Sequence, residues 1–286
     1  MPPIPSVLLA ALSVVTGAAF AKRLFPELGA AGTAGVRIGL SALMLATVFR
    51  PPLRRLSAAQ WRAVVPYGLG LGGMNLIFYL AIARIPLGLA VTIEFIGPLG
   101  LAVLGSRRLL DLVWVALAAS GIALIAPWGL SGPSALAIDP VGVLLALAAG
   151  ALWATYIVLG GRLARVLPGG PGVAAGMIVA AALVVPTAAG TGQLGRLTPR
   201  LLGAGAGVAL LSSAIPYTLE MNALRALPAR TFGILMSLEP AIAAVSGLLF
   251  LGERLTGRQW LATALVIAAS TGVTWTARRV SPPVEV

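Results

Sequence analysis

The sequence contains no cysteine and no histidine, and only 10% of its 286 residues are charged. Without cysteine the chain can form no disulfide bond and can use no thiol chemistry. Without histidine it lacks the commonest metal ligand and the usual proton carrier near neutral pH. Any proton transfer by this protein therefore falls to carboxylates, and the sequence predicts no metal site and no cofactor.

Long hydrophobic segments dominate the chain. Apolar residues make up 59% of it, and the mean hydropathy is +1.00. A helix needs about 20 apolar residues to cross a bilayer, and windows of this kind cover roughly residues 5–23, 31–49, 64–83, 87–105, 111–129, 139–160, 172–190, 201–223, 229–251 and 260–277. The sequence therefore predicts an all-α integral membrane protein with ten transmembrane helices and short loops.

The basic residues lie near the ends of the hydrophobic windows, as in the pairs Arg54-Arg55 and Arg107-Arg108. This pattern is typical of topology anchors, so the net charge of +12 indicates contact with a lipid bilayer and not with nucleic acid. No positively charged segment precedes the first window, which we interpret as a retained helix and not a signal peptide.

The distribution of these charges also predicts an orientation. With the N-terminus in the cytoplasm, twelve basic residues fall on the cytoplasmic side and seven on the other. This excess predicts a multi-pass protein of the inner (cytoplasmic) membrane with both termini in the cytoplasm. The seven residues on the opposite side are Lys22, Arg23, Arg84, Arg196, Arg200, Arg254 and Arg258.

The two halves of the chain repeat one pattern. Pro86 and Pro98 are 12 positions apart, as are Pro228 and Pro240, and a Leu-Gly dipeptide and a tryptophan follow each pair. Each half holds five predicted helices, and because five is odd, the second half must enter the membrane from the opposite side. Inverted repeats of this kind carry the substrate site at their interface near mid-membrane. The predicted repeats are residues 1–132 and 133–286.

Three carboxylates, Glu94, Glu220 and Glu239, fall inside predicted helices. A charge at membrane depth costs about 3 kcal/mol or more, so it is seldom kept without a partner or a watery cavity. Two of them stand beside the helix-breaking prolines Pro98 and Pro240. We interpret Glu94 and Glu239 as proton-coupling candidates that exchange a proton for a substrate ammonium group. The alternatives are a structural ion pair with a buried arginine, or a glutamate kept neutral by a hydrogen bond.

The two halves differ in where these carboxylates stand. Under the repeat, Pro98 aligns with Pro240, but Glu94 aligns with Met236, and Glu239 aligns with Gly97. The prolines therefore belong to the duplicated scaffold, whereas each glutamate was placed separately. This asymmetry predicts distinct roles, one carboxylate for the proton and one for the substrate amine.

Polar and aromatic residues share helix faces at three further places. Residues three, four or seven positions apart on a helix lie on one face. Such faces, together with the carboxylates, predict a cavity for a small zwitterion or cation, although tyrosine and tryptophan are also common anchors at the membrane interface. The predicted substrate-binding residues are Asn75 and Tyr79, Trp153 and Tyr156, Ser213, Tyr217 and Glu220, and the carboxylates Glu94 and Glu239.

Arg37 lies inside a predicted helix, where a cation needs a partner. Three roles remain open for it at this stage. It binds a substrate carboxylate with two hydrogen bonds, it neutralises one of the buried glutamates, or it extends to the membrane interface.

The chain resembles the drug/metabolite transporter superfamily of ten-span proteins with paired EamA-type repeats. LEP at residues 238–240, followed by LGERLT at 251–256, is similar to the ending of that repeat. The first half departs from this ending, because Ser106 stands where the second half has Glu253. A closer resemblance, to the threonine and homoserine exporter branch, lies in residues 71–75 (LGGMN), 94–99 (EFIGPL) and 215–221 (IPYTLEM).

This resemblance covers nearly the whole chain and implies secondary-active efflux of small amino acids from the cytoplasm, coupled to protons. Two other functions remain open. One is an exporter of another metabolite or a drug with the same fold. An intramembrane enzyme acting on a lipid-linked substrate is the alternative of another class, but no metal cluster, nucleophile–base pair or phosphate-binding loop accompanies the carboxylates. We therefore expect a transporter and not an enzyme, with a small molecule as its substrate.

Overall fold

The computed structural model describes residues 3–104, 109–125, 138–167, 169–216, 219 and 235–276. Over these ranges the chain is helical apart from short connections, and they include no β-strand. The described helices are α1 (Pro3–Arg23), α2 (Phe25–Phe49), α3 (Ala58–Ile82), α4 (Leu87–Glu94), α5 (Ile96–Leu104), α6 (Leu109–Ile125), α7 (Pro140–Val166), α8 (Gly170–Gly190), α9 (Pro199–Ala209), α10 (Glu239–Ser246) and α11 (Gly257–Thr276).

Five of these helices, α1, α2, α3, α7 and α8, are long and apolar enough to cross a membrane. They coincide with five of the ten predicted windows. The window at 87–105 is interrupted at Phe95, between α4 and α5, and gives a shorter apolar segment, Leu87–Leu101. Another short apolar segment is Glu239–Leu251. The windows at 111–129, 201–223 and 229–251 extend into residues outside the described ranges.

The outer surface of the helices is apolar, as a lipid environment requires. Leu43, Val48, Leu144 and Leu249 are each more than 60% exposed, and no polar cover lies over them. Exposed side chains of this size on several different helices are unfavourable in water and favourable in hydrocarbon. The molecule therefore buries its polar side chains inside and presents leucine and valine outward.

Polar side chains close the helix ends, where backbone groups lack helical partners. Ser57 and Gln60 form a capping box at the start of α3. Asp139 accepts a hydrogen bond from the Val141 amide (2.8 Å) at the start of α7. The Arg84 guanidinium also donates to Asp139 (2.9 Å) and, with the backbone amide bond, holds the pKa of this carboxyl below its usual value.

Glycines let the helix backbones approach one another closely. A Cβ atom added at Gly68 on α3 would lie 2.5 Å from the Gly176 carbonyl oxygen on α8. One added at Gly97 on α5 would lie 1.8 Å from the Gly150 carbonyl oxygen on α7. Membrane helices associate through such small residues because lipid supplies little hydrophobic driving force. The contact at Gly97 fixes the position of the break between α4 and α5.

We predict that Gly97→Ala destabilises the protein by about 1–3 kcal/mol, because the added methyl group meets a backbone atom that cannot rotate away. Thermal unfolding in detergent measures this loss. Gly207→Ala on α9 is the matched control, because nothing lies within 4 Å of its added Cβ atom and alanine favours a helix. Equal stability of the two variants would contradict the packing argument.

Candidate substrate cavity

A cavity of about 430 Å³ lies among the middle portions of the helices. Both halves of the chain contribute to its wall, through α1 to α5 from the first half and α7, α10 and α11 from the second. Most of the wall is apolar, and includes Leu71, Phe78 and Val273. The side chains in the wall that carry a polar group are Arg37, Asn75, Glu94, Trp153, Tyr156, Ser212, Glu239, Ser270 and Thr274.

Arg37, in the middle of α2, is held in this wall by α3. It is only 9% exposed. Its Nη1 donates to Asn75 Oδ1 (2.8 Å), and Asn75 Nδ2 donates in turn to the Leu71 carbonyl (2.8 Å). The guanidinium carbon lies 5.3 Å from the centre of the Tyr79 ring. Because the Leu71 carbonyl can only accept, the amide of Asn75 must turn its oxygen toward Arg37.

No carboxylate within ion-pair distance neutralises the cation of Arg37 in the part of the chain that the structure describes. Among the described residues, ion pairs within 4.0 Å join Lys22 to Glu253 and Arg84 to Asp139, and neither includes Arg37. Its Nε is buried and has no hydrogen-bond partner in the described part of the chain. A structural ion pair with a buried glutamate, one of the alternatives raised by the sequence, is therefore not formed among these residues.

Glu94 is the last residue of α4 and is only 7% exposed. Two features fix it there. Residue 98 is proline, so the Glu94 carbonyl has no amide four residues ahead to bond with. That carbonyl instead faces α7, where a Cβ atom added at Gly150 would lie 2.5 Å from it. Beside it the Phe95 ring meets the Trp153 ring edge to face, with centroids 5.2 Å apart.

Glu239 is the first residue of α10 and is 8% exposed. A turn at Ser237 and Leu238 precedes it, and Pro240 occupies the second helical position, where a missing amide does no harm. The Ser237 hydroxyl lies 2.9 Å from that of Ser270 on α11 and so ties the turn to the cavity wall. Two chain interruptions, before Glu239 and after Glu94, thus bring two carboxylates to one cavity.

Arg37 and Glu239 are both close enough to Glu94 to interact with it electrostatically. In the low dielectric of a membrane protein such interactions are stronger than in water. The cavity wall therefore contains two carboxylates and one cation that influence one another, and no ion pair within 4.0 Å joins Arg37 to either carboxylate in the described part of the chain. This arrangement matches the opposite charges of a small zwitterion.

The other predicted site residues fall in different places. Tyr156 lines the cavity, and the Tyr67 hydroxyl lies 3.2 Å from its own. Tyr79 is fully buried and lies beneath Arg37, not in the wall. The Ser213 hydroxyl forms a hydrogen bond with the Ser41 hydroxyl (2.8 Å), and Ser213 is 1% exposed. Tyr217 and Glu220 lie outside the described residues.

Ser212 lines the cavity, whereas the sequence pattern predicted its neighbour Ser213 at this place. The cause is a single π-helical turn, Leu210–Ala214, which follows α9. A π turn holds more residues than the 3.6 of an α-helix, so the face predicted from α-helical spacing is displaced by about one residue there. Ser270 and Thr274 were also missed, because serine and threonine are common in membrane helices and their spacing alone gives no distinct signal.

The described residues include no group of three or more histidine, cysteine, aspartate or glutamate side chains able to hold a metal ion. The polar groups in the cavity wall can form hydrogen bonds and ion pairs with a solute, and the two carboxylates can bind protons.

Comparison with known proteins gives a consistent result. The sequence profile of the EamA-like transporter family matches residues 140–275. The threonine/homoserine exporter RhtA of Salmonella typhimurium is 47% identical over 277 residues, which cover 97% of this chain and 92% of that protein. RhtA of Escherichia coli K12 is 46% identical over 279 residues, with 98% and 93% covered.

More distant proteins share the fold. An uncharacterized transporter of Bacillus subtilis, YwfM, is 29% identical over 237 residues, with 80% of this chain and 78% of that protein covered. A solved crystal structure superposes with a TM-score of 0.55 at 19% identity and covers 96% of this chain and 99% of its own. At that identity the superposition shows a common fold alone.

Proposed function

Since this chain belongs to the EamA-like transporter family, we propose that it is a secondary-active exporter of small amino acids such as threonine and homoserine. It is a multi-pass membrane protein and a transporter, not an enzyme. The observation that carries the substrate proposal is the cavity whose wall contains Arg37, Glu94 and Glu239, in which no ion pair within 4.0 Å joins Arg37 to a carboxylate among the described residues. Its charges are complementary to an ammonium and a carboxylate.

Arg37 is the site for the substrate carboxylate. Its Nη1 is occupied by Asn75, whereas its Nε has no partner among the described residues. The Nε and Nη2 groups form one edge of the guanidinium, and this edge suits a carboxylate with two parallel hydrogen bonds. Both polar atoms of the Asn75 side-chain amide form hydrogen bonds within the protein, since Oδ1 accepts from Arg37 and Nδ2 donates to the Leu71 carbonyl. Its role is therefore to position Arg37.

Glu94 and Glu239 have different roles in transport. One carboxylate binds the ammonium group of the amino acid, and the other takes up a proton when the cavity faces the more acidic side. When the amino acid is released and the proton is bound, the net charge of the cavity changes. This change favours the return of the empty cavity to the cytoplasmic side. Trp153 and Tyr156 line the side of the cavity contributed by α7 and limit the size of the substrate.

The architecture we propose has ten transmembrane helices in two inverted five-helix repeats, residues 1–132 and 133–286. The contribution of both halves to one central cavity supports this arrangement. The excess of basic residues on one side supports an inner-membrane location with both termini in the cytoplasm. Alternating exposure of the cavity to the two sides then moves the amino acid outward.

Reconstitution into proteoliposomes tests this function. We expect counterflow of labelled threonine or homoserine, accelerated by an imposed pH gradient. The mostly apolar wall favours one competing substrate class, a larger apolar metabolite or drug. A panel of labelled amino acids and apolar compounds decides between them, and transport of the apolar compounds alone would refute the amino acid proposal.

We predict that Glu94→Gln and Glu239→Gln have different effects. The variant that removes the proton carrier keeps substrate exchange but loses its response to a pH gradient. The variant that removes the ammonium ligand loses both. Exchange with and without a gradient measures this, and Glu27→Gln serves as a control because Glu27 is exposed on α2. A full pH response in both variants would rule out the proton role.

We also predict that Arg37→Met raises the KM for threonine by about 10- to 100-fold, because a hydrogen-bonded charge contributes about 1.5–3 kcal/mol. Asn75→Ala changes the KM in the same direction by a smaller factor, since it misplaces the guanidinium without removing it. Inhibition by an amine that lacks a carboxylate stays unaffected in both. Arg62→Met is the control, because Arg62 is exposed. An unchanged KM for Arg37→Met would refute the assignment.

A further inference from the structure

One end of the helix bundle is joined by a small network of charged and backbone groups. Lys22 Nζ, at the end of α1, donates to Glu253 Oε1 (2.6 Å) and to the Ile85 carbonyl (3.0 Å). The other oxygen, Glu253 Oε2, accepts from the amide of Leu87, the first residue of α4 (2.7 Å). We refer to Lys22, Ile85, Leu87 and Glu253 as the clasp.

The clasp joins the ends of two helices that face each other across the cavity. Val15 and Ala18 of α1 lie in one part of the cavity wall, and Val91 and Glu94 of α4 lie in another. α10 packs against both helices, and Glu253 follows α10 in the chain. A bond between the end of α1 and the start of α4 therefore holds the cavity walls together at this end.

Buried apolar side chains lie on the segments between the clasp and the cavity. Ala21, Leu87, Leu89 and Ala90 are completely buried. In the other direction the cavity extends farther. On α11 it reaches Thr274, two residues before the helix ends, and on α7 it reaches Ile157, which is 40% exposed.

We propose that the clasp is a gate, which holds the cavity closed at this end and must open for the substrate to leave there. This inference rests on the alternating access of the proposed function. Lys22 and Arg254 belong to the non-cytoplasmic side in the orientation proposed above. In the structure the bonds of the clasp are formed, so this gate is closed.

The strength of the clasp suits a gate. The Lys22 side chain is 21% exposed and the Glu253 side chain 14%. Water can therefore hydrogen-bond to both groups when the bonds between them break. An ion pair that forms only in the closed arrangement lowers the free energy of that arrangement, and its loss shifts the equilibrium toward the open one. The amide of Leu87 lies in the first turn of α4 and needs an outside acceptor in either arrangement.

The internal repeat does not duplicate the carboxylate of the clasp. The position equivalent to Glu253 is Ser106, which has no charge. Inverted repeats bring equivalent positions to opposite ends of a bundle. The repeat therefore predicts no matching carboxylate at the position equivalent to Glu253.

The absence of cysteine from the chain permits a direct test with single introduced thiols. Val91→Cys places a thiol in the cavity wall, where a membrane-impermeant maleimide added outside reaches it only through an open gate. We expect Lys22→Gln or Glu253→Gln to accelerate this labelling by about fivefold. Glu253→Gln keeps an acceptor for the Leu87 amide, so the fold is preserved. Asp139→Asn, which breaks the exposed pair with Arg84 at the same end, leaves the labelling rate unchanged.

A covalent lock provides the second measurement. Lys22→Cys with Glu253→Cys, joined by oxidation or a short thiol cross-linker, stops amino acid exchange, and a reducing agent restores it. Arg84→Cys with Asp139→Cys is the matched pair, and exchange continues when it is joined, because α3 packs along α7 in any case. Continued exchange through the joined Lys22 and Glu253 pair would refute the gate.

The two measurements separate this inference from the proposed function. Thiol labelling needs no substrate, so faster labelling of Glu253→Gln supports the gate even when the wild-type chain moves no amino acid. In that case the proposed substrate alone is wrong. Conversely, amino acid exchange by the wild type with equal labelling of all variants overturns the gate and leaves the proposed function standing.

Discussion

The close contact between the backbones of α5 and α7 is the constraint on which the site depends. Gly97 and Gly150 approach so nearly that neither has room for a methyl group. Because lipid gives helices little reason to associate, packing of this kind has to supply the attraction. The contact also fixes the interruption after Glu94, and with it the direction in which this carboxylate meets the cavity. The packing of α5 on α7 and the position of Glu94 in the cavity wall are therefore set by the same two residues.

The second organising feature is a buried cation that has mostly neutral neighbours. Arg37 is supported by an amide and an aromatic ring, and Glu94 and Glu239 line the same cavity. Among the described residues no ion pair within 4.0 Å joins Arg37 to a carboxylate. A buried cation of this kind costs stability, and it is consistent with a site that binds the carboxylate of a substrate.

The sequence predicted the long helices, since composition and length alone decide whether a segment can cross a bilayer. It also indicated Glu94 and Glu239, because a carboxylate beside a proline in an apolar helix is rare. It could not predict Ser212, because a π turn displaced the face. It gave no special role to Glu253, since the partner Lys22 is 231 positions away and only the fold brings them together. Local patterns predict elements, whereas contacts between distant residues require coordinates.

Pro98 has one further mechanical consequence. A helix in hydrocarbon normally resists bending, because a broken backbone hydrogen bond finds no water to replace it. The bond from residue 98 to the Glu94 carbonyl never forms, so α4 can pivot against α5 at this point without losing it. Since α5 is held against α7 at Gly97 and Gly150, α4 is the helix that moves when the chain bends at this point. A hinge of this kind converts a small displacement at Leu87 into a rotation of the Glu94 side chain.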